Sequence, residues 1–300
     1  MSLVPLYPAL SGLAICLLLV PLSWHLKARN SGTLIYIFWG LVGNLVFLTN
    51  TIVWAGNFED HAPIWCDISA KLIVGLSVGL TAASLCINRN LYKVATATTV
   101  AITSSKLKAA AIDLMLGIGL PMVVMALDCV VAGRRYGIIE DIGCWPATQN
   151  TLLAIPMILI WPIIISVASL IYCSLSIRAF LIKRQQVSQL LNSSHSGINT
   201  SRYFRLMALA SIEIAFSLPL ALYFLVTNLR GGTVVPWVSW GDTHANFSEP
   251  VKFPMILLKS VPDVYKGLLI NLWVMPSTGF VFFLFFGLSE EAIVVYHCEK

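Results

Sequence analysis

The sequence predicts an all-α integral membrane protein: a single domain, residues 1–300, built as a bundle of seven transmembrane helices. Three observations lead to this fold class: the hydrophobic composition, seven apolar windows, and the distribution of basic residues between those windows. Hydrophobic residues make up 58% of the 300-residue chain and charged residues 11%, whereas a soluble domain carries about 25% charged residues. The mean hydropathy is +0.83. A chain of this composition needs lipid around it.

Seven windows are long and apolar enough to cross a bilayer, because each has roughly the 20 residues that a transmembrane helix requires. They are residues 4–26, 33–55, 64–87, 109–132, 152–177, 204–229 and 264–288. The third and fourth are diluted by Gly, Ser, Thr and Ala, which is typical of helices packed inside a bundle. Gly117, Gly119 and Pro121 predict that the fourth helix is irregular.

The distribution of Lys and Arg predicts the orientation of the bundle. The segments after the first, third and fifth windows, with their flanks, contain eleven basic residues and no acidic residue, whereas the other three connecting segments are mixed. The positive-inside rule then places the N-terminus outside the cell and the C-terminus in the cytoplasm. The net charge of +5 therefore reflects membrane topology, and we expect no binding of nucleic acid.

Two cysteines, Cys66 and Cys144, fall on the predicted outer side, where disulfides form. Of the other five cysteines, only Cys129 lies close enough to that side to compete. A Cys66–Cys144 bridge would tie the second outer segment, residues 133–149, to the top of the third helix; two free thiols are the alternative. Gly-rich turns in the same segment predict a short hairpin.

Asp67 and Lys71 have the spacing of neighbours on a helix, with the acid first, which is the stabilising order. At the outer end of the third helix they would form the polar floor of a ligand pocket. The alternative is an interfacial pair in which Lys71 extends towards the headgroups.

Glu213 lies close to the centre of the sixth window, where a charge costs about 3 kcal/mol on insertion scales and usually faces the bundle interior. We expect it to be protonated or paired with a cation such as Arg89 of the third helix. As a functional group it would be a switch contact between helices three and six; the alternative is a structural hydrogen bond.

Asp113 and Asp128 lie nearer the two ends of the fourth window, and both are predicted to pair with basic residues close to them in the sequence. The expected partners are Lys106 and Lys108 for Asp113, and Arg134 and Arg135 for Asp128.

Signatures of enzymes are absent from the sequence, which has no HExxH, Gly-rich phosphate loop or GxSxG and no His/Asp cluster at one depth. We therefore expect neither catalysis nor a metal or other cofactor. A transporter would usually line its path with several ionisable groups, and Glu213 alone lies deep; a transporter or an orphan membrane protein is kept as the alternative. Asn246 begins an N-glycosylation triplet on the predicted outer side.

Five stretches, in this order, resemble the fungal mating-pheromone receptors of the a-factor type, a divergent class (class D) of G protein-coupled receptors. They are WCDISAKLIVG at 65–75, LCINRNLYK at 85–93, GCWPA at 143–147, RYFRLMALA at 202–210 and PSTGFVFFLFFGLSEEA at 276–292. The similarity covers essentially the whole chain. This branch occurs in budding yeast and, in many forms, in mushroom-forming basidiomycetes.

The resemblance implies a plasma-membrane receptor for a short, farnesylated peptide pheromone that signals through a heterotrimeric G protein to the mating response. A lipid-modified peptide can partition into the bilayer, and aromatic residues of the outer half would hold its prenyl chain. The candidates are Trp145, Trp161, Tyr223, Trp237, Trp240 and Trp273, with interfacial anchoring as the alternative for each Trp. Family members often have a longer tail than residues 289–300, so truncation is left open, as is a homodimer.

On the inner side, the resemblance implies a G-protein pocket between helices three, five and six. The residues that would frame it, some of which also set the topology, are Arg89, Asn90, Arg178, Lys183, Arg184, Arg202 and Arg205. We expect agonist to shift an existing equilibrium in which helices five to seven repack around Pro219 and Pro276.

Overall fold

The computed structural model describes residues 6–96, 106–182, 200–231 and 234–287. Within these ranges seven helices are long and apolar enough to cross a membrane, which confirms the predicted fold class. Five of them are continuous α-helices: α1 (Leu6–Lys27), α2 (Ser31–Val53), α3 (Pro63–Thr96), α6 (Thr200–Gly231) and α7 (Pro262–Phe286).

The other two spanning helices each contain a π-helical turn. Helix α4 consists of Lys106–Leu114, the π turn Met115–Gly119 and Leu120–Val131, and α5 consists of the π turn Ile155–Leu159 and Ile160–Ile182. Proline explains the first widening, because Pro121 has no N–H to bond the Gly117 carbonyl four residues earlier. That carbonyl instead accepts a hydrogen bond from the indole of Trp39, at 2.8 Å. The predicted irregularity of the fourth helix is therefore present.

Helix α3 lies at the centre of the bundle and packs against α2, α4, α5 and α6. In its most apolar window 78% of the residues are buried, against 17% for α6. Gly79 allows α2 to approach α3 closely, because a Cβ added at Gly79 would collide with the indole of Trp39. Large apolar side chains elsewhere, such as Phe38 and Leu45, remain exposed on the surface that lipid would cover.

A small cap closes one end of the bundle. Its strands are β1 (Gly137–Ile139), β2 (Gly143–Trp145) and β3 (Val251–Phe253). Strands β1 and β2 form the predicted antiparallel hairpin, and β3 adds to β1 in parallel, so the order is β2-β1-β3. Two short helices, Trp240–Thr243 and Met255–Lys259, flank β3.

We call the capped end of the bundle the disulfide end and the opposite end, where α3 finishes and α4 begins, the far end. The cap is packed onto the helices, since Ile139, Ile142 and Met255 belong to the same buried cluster as Tyr36 and Phe282. The cap, the bundle core and the far end thus form one continuous apolar interior.

Candidate functional site

At the disulfide end, Cys66 and Cys144 are joined in a disulfide, with their Cα atoms 5.1 Å apart. Asn50 of α2 supports the bridge, because its side-chain amide donates to the Cys144 carbonyl at 3.1 Å and accepts from the Trp65 indole at 2.7 Å. Cys129, the competing thiol, is free and exposed. The hairpin is thereby held against both α2 and the first turn of α3.

Asp67 and Lys71 do not pair with each other, so that prediction was wrong. Asp67 accepts from Arg135 of the cap, with Nε at 3.1 Å, and Lys71 places its ammonium 2.6 Å from the carboxylate of Asp128 on α4. The predicted pairing of Asp128 with Arg134 or Arg135 is wrong for the same reason: each charge on α3 faces an element packed beside it. A buried carboxylate needs a partner, and that of Asp128 has Lys71 of α3 and the hydroxyl of Thr148.

Charged residues of the cap form a second layer of contacts. The hydrogen bonds to Asp67 raise the pKa of the Arg135 guanidinium. Burial, and after it the hydrogen bond to Asp60, raises the pKa of Tyr136 to about 12. Throughout the neutral range the Arg135 guanidinium is therefore charged, and the Tyr136 phenol is neutral and donates to Asp60.

A third layer links β3 and its surroundings to the other loops. Lys252 lies 2.7 Å from Glu59, and its charge and hydrogen bond lower the pKa of that carboxyl. The carboxylate of Glu140 accepts from the backbone N–H of Met255 at 2.7 Å, at the start of the short helix that leads into α7. The loops after α2, α4 and α6 are thus joined to one another above the bundle.

A cavity of about 550 Å³ lies between α6 and α7, with α2 as its back wall. Its lining is mostly apolar, and the two hydroxyl groups on α7 are satisfied within that helix: Ser277 donates to the Trp273 carbonyl at 2.8 Å and Thr278 to the Met275 carbonyl at 2.7 Å. Among the described residues that line it, Glu213 is the one with a carboxylate.

Glu213 accepts a hydrogen bond from the hydroxyl of Tyr36 on α2, at 3.4 Å. The Tyr36 ring in turn stacks on Phe282 of α7, with the ring centroids 5.6 Å apart. The expected partner Arg89 is elsewhere, so the predicted contact between helices three and six through Glu213 is not made. Glu213 instead joins α6 to α2, beside α7.

Arg89 pairs with Asp113 at the far end, and the two atoms are 2.6 Å apart. Asp113 is 0% exposed and Arg89 8%. The carboxylate of Asp113 also accepts from Asn90 at 2.8 Å and from the hydroxyl of Ser31, the first residue of α2. Arg89 donates as well to the Ala109 carbonyl, at 3.0 Å. This cluster, which we call the Asp113 cluster, ties α2, α3 and α4 together.

The Asp113 cluster changes two expectations. Asp113 does not depend on the basic residues at the start of α4, since three side chains from α2 and α3 surround it. Arg89 and Asn90, which were expected to line an open pocket for a G protein, face inward onto Asp113. One nitrogen of Arg89 and the side-chain amide of Asn90 bond the buried carboxylate of Asp113, which directs both side chains towards the bundle interior.

The aromatic residues predicted to hold a ligand do not come together in one pocket. Trp145 packs on Phe47 at the cap, Trp161 packs in the α3–α4–α5 core, the Tyr223 hydroxyl donates to the Asp263 carbonyl, and Trp237 and Trp240 are on the exposed segment before β3. Of this set only Trp273 lines the cavity.

The remaining predicted residues have mixed positions. Arg178 is exposed on α5, and the Arg205 guanidinium lies 6.0 Å from the ring centroid of Phe286. Lys183, Arg184, the side chain of Arg202 and the tail residues 289–300 lie outside the described residues. Pro219 and Pro276 are inside α6 and α7. Asn246 is exposed near the cap, and its carbonyl accepts from Arg134.

Within the described ranges, no group of three or more His, Cys, Asp or Glu is placed to hold a metal ion. The arrangement instead offers a sealed cap, a side cavity and a charged cluster at the opposite end. Seven spanning helices define the class of seven-helix membrane proteins, which includes the seven-transmembrane receptors.

The chain belongs to the pheromone A receptor (STE3) family, whose profile matches residues 6–298. It is 39% identical over 289 residues to the pheromone B alpha 3 receptor of Schizophyllum commune (strain H4-8 / FGSC 9210), covering 96% of this chain and 46% of that protein. It is 34% identical to pheromone receptor 1 of Ustilago hordei, covering 93% of this chain and 78% of the relative. The chain thus spans less than half the length of the Schizophyllum relative.

A more distant relative is the pheromone a factor receptor of Saccharomyces cerevisiae (strain ATCC 204508 / S288c). The two are 28% identical over 287 residues, which is 95% of this chain and 59% of the yeast protein. The similarity therefore extends over all seven helices.

Proposed function

We propose that this chain is a G protein-coupled receptor that binds a farnesylated peptide mating pheromone and activates a heterotrimeric G protein to start the mating response. Its membership of the pheromone A receptor family over residues 6–298 carries the proposal. The names of its relatives agree, since both the Schizophyllum and the Saccharomyces proteins are pheromone receptors.

In this proposal the receptor lies in the plasma membrane with its disulfide end outside the cell. The Cys66–Cys144 bridge supports that orientation, because disulfides persist in oxidising surroundings. The basic segments at the far end support it too, through the positive-inside rule. Asn246 would then be available for glycosylation, and its exposed position suits an attached glycan.

A G protein would bind the far end. Exposed Arg178 and half-buried Arg205 are suited to direct contact with an acidic partner surface, and we assign Lys183, Arg184 and Arg202 to the same surface. Arg89 and Asn90 would act indirectly, by fixing α3 against α2 and α4 through Asp113.

The switch would lie in α6 and α7. Both helices contain an interior proline, Pro219 and Pro276, and proline weakens a helix at one turn by removing a hydrogen bond. Between these helices lies the cavity that holds Glu213. Repacking at that point would change the contact of α6 with Tyr36 and open the far end.

The test is a pheromone reporter in yeast that lacks its own receptor. Cells expressing this chain at the surface should respond to at least one farnesylated peptide of a panel and should not respond to the same peptide without its farnesyl group. Silence towards the whole panel, at a surface expression equal to that of a responding relative, would refute the proposal.

A further inference from the structure

Helices α6 and α7 touch at both ends and separate in between. Near the disulfide end the Tyr223 hydroxyl donates to the Asp263 carbonyl at 3.0 Å, and Gly267 faces Phe224 so closely that a Cβ there would lie 3.1 Å from the ring. Near the far end Arg205 lies over Phe286. The cavity occupies the space between these contacts, so contacts between α6 and α7 bound it at both ends.

The open side of the cavity faces the surrounding lipid. Phe216 on α6 and Ile270 on α7 both line it, and they are 69% and 43% exposed. Tyr36 and Thr278 close the opposite side, towards the bundle interior, and both are buried. A molecule therefore reaches this space from within the bilayer, through the gap between α6 and α7.

Contacts near the disulfide end hold the neighbouring helices and the cap together. Trp145 packs against Phe47, Met255 is buried in the main core, and the hydroxyl of Tyr7 bonds the Leu272 carbonyl at 3.1 Å. Because the open side of the cavity faces lipid, a ligand that reaches it is one that dissolves in membrane.

The lining favours hydrocarbon. The hydroxyl groups of Ser277 and Thr278 are bonded to backbone carbonyls, and that of Tyr36 to Glu213. A peptide backbone placed there would therefore leave most of its N–H and C=O groups unpaired, at a cost of several kcal/mol for each group. The volume of about 550 Å³ lies within the range of ligand pockets. Leu269 and Val281 mark its length on α7, about 18 Å at the helical rise.

We propose that this cavity is the binding site for the prenyl chain of the ligand, which enters sideways from the bilayer between α6 and α7. The proposal rests on the proposed function. An isoprenoid differs from an unbranched methylene chain in its methyl branches and its double bonds. Tyr36, Phe216 and Trp273 supply aromatic faces for its double bonds.

Occupancy of the cavity would act on the hydrogen bond that joins its α2 wall to its α6 wall. Between Tyr36 and Glu213 the donor and acceptor are 3.4 Å apart. A hydrocarbon chain in the cavity packs beside this pair, so the prenyl chain would bear on how α6 is held against α2.

The experiment uses the full chain in yeast membranes and two photoactivatable probes. One is S-farnesylcysteine methyl ester with a diazirine on its last isoprene unit, and the other is the S-hexadecyl analogue with a diazirine at the chain end. We expect the farnesyl probe to label residues 209–216 and 269–281, with label displaced by unlabelled farnesylcysteine methyl ester. Equal labelling by the hexadecyl probe, or label confined to other segments, would overturn the proposal.

A matched pair of variants adds a second readout. Ser277→Phe places a ring in the cavity from an exposed position, and overpacking of this kind should lower labelling and pheromone potency about tenfold. Leu284→Phe lies two turns along the same face of α7, is 64% exposed and does not line the cavity, so it should change neither. Equal behaviour of the two variants, at equal surface expression, would contradict the assignment.

The results separate the two proposals. A receptor that responds to a farnesylated peptide but is labelled outside the cavity keeps the proposed function and loses this site. A receptor that is labelled in the cavity but silent in every reporter assay keeps the site and loses the proposed function.

Discussion

Replacing Asp113 by Asn should destabilise the receptor strongly. The carboxylate is 0% exposed and accepts from Arg89, Asn90 and Ser31. An Asn amide removes the charge that neutralises Arg89 and turns an N–H₂ group towards three donors. The guanidinium is then left buried without an opposite charge.

The size of the effect follows from the burial of the pair. Removing one partner of a buried ion pair costs about 3–5 kcal/mol. The lower end applies here, because the Arg89 side chain is 10% exposed and keeps its bond to the Ala109 carbonyl. A loss of about 3 kcal/mol corresponds to roughly a hundredfold change in the folding equilibrium and to a fall in Tm of roughly 5–10 °C.

The assay is thermal unfolding of the purified receptor in lipid nanodiscs, with Arg178→Gln as control. Arg178 is exposed, so its removal should cost less than about 0.5 kcal/mol. In a double-mutant cycle, Asp113→Asn with Arg89→Gln should cost less than the sum of the two single changes, because the partners are in contact. The reasoning would be refuted if the Asp113→Asn and Arg178→Gln variants had the same Tm. It would also be refuted if the effects of Asp113→Asn and Arg89→Gln were strictly additive.

Three further predictions concern the other contacts. Cys66→Ser and Cys144→Ser should lower surface expression equally, and the double variant should be no worse than either, because each single change already breaks the same bridge; a greater loss in the double variant would contradict this. Glu213→Gln and Tyr36→Phe should both shift basal or pheromone-driven signalling in the reporter by weakening one shared bond; dose–response curves identical to wild type would remove it from the switch. Asn246→Gln should abolish the mobility shift on deglycosylation if the capped end is outside; an unchanged shift would mean that a glycan is attached elsewhere.

The seven helices could be predicted because a bilayer requires about 20 consecutive apolar residues to cross it, a property of a whole window and not of single contacts. Backbone groups in hydrocarbon must bond internally, so about 20 apolar residues in a row indicate a helix whatever their individual contacts. The hairpin of the cap could be predicted for a different, local reason, since Gly143, with φ of 90°, adopts a conformation that favours glycine.

Partners across helices could not be read from spacing along one helix. Lys71 and Arg89 of α3 find Asp128 and Asp113 of α4 because the two helices are antiparallel, so residues equally far from their connection lie at the same depth. The sequence holds a signal for this: each acid in the fourth window has a base at matching depth in the third. The helix spacing of Asp67 and Lys71 was the weaker cue, since a surface pair of that kind contributes only about 0.2–0.5 kcal/mol.

The six aromatic residues predicted to hold the ligand did not describe a pocket. Trp is enriched at both membrane–water interfaces because its amphipathic ring suits the headgroup level, whether or not a ligand binds there. Trp237 and Trp240 are exposed, and Trp145 belongs to the cap. The cavity depends instead on where α6 and α7 fail to touch, which is a property of the packing of two helices. Phe216 and Tyr36, which help to form it, carry no pattern that distinguishes them in the sequence.

The parallel pairing of β1 with β3 has a mechanical consequence. Strand β1 shares a hairpin with Cys144, which is bonded to the first turn of α3, and β3 leads through Met255–Lys259 into α7. At the disulfide end, α3 and α7 are therefore both attached to the same sheet, so they cannot move apart there. If a displacement starts between α6 and α7, within the membrane, we expect the displacement to increase with distance from the sheet. It should be greatest at the far end.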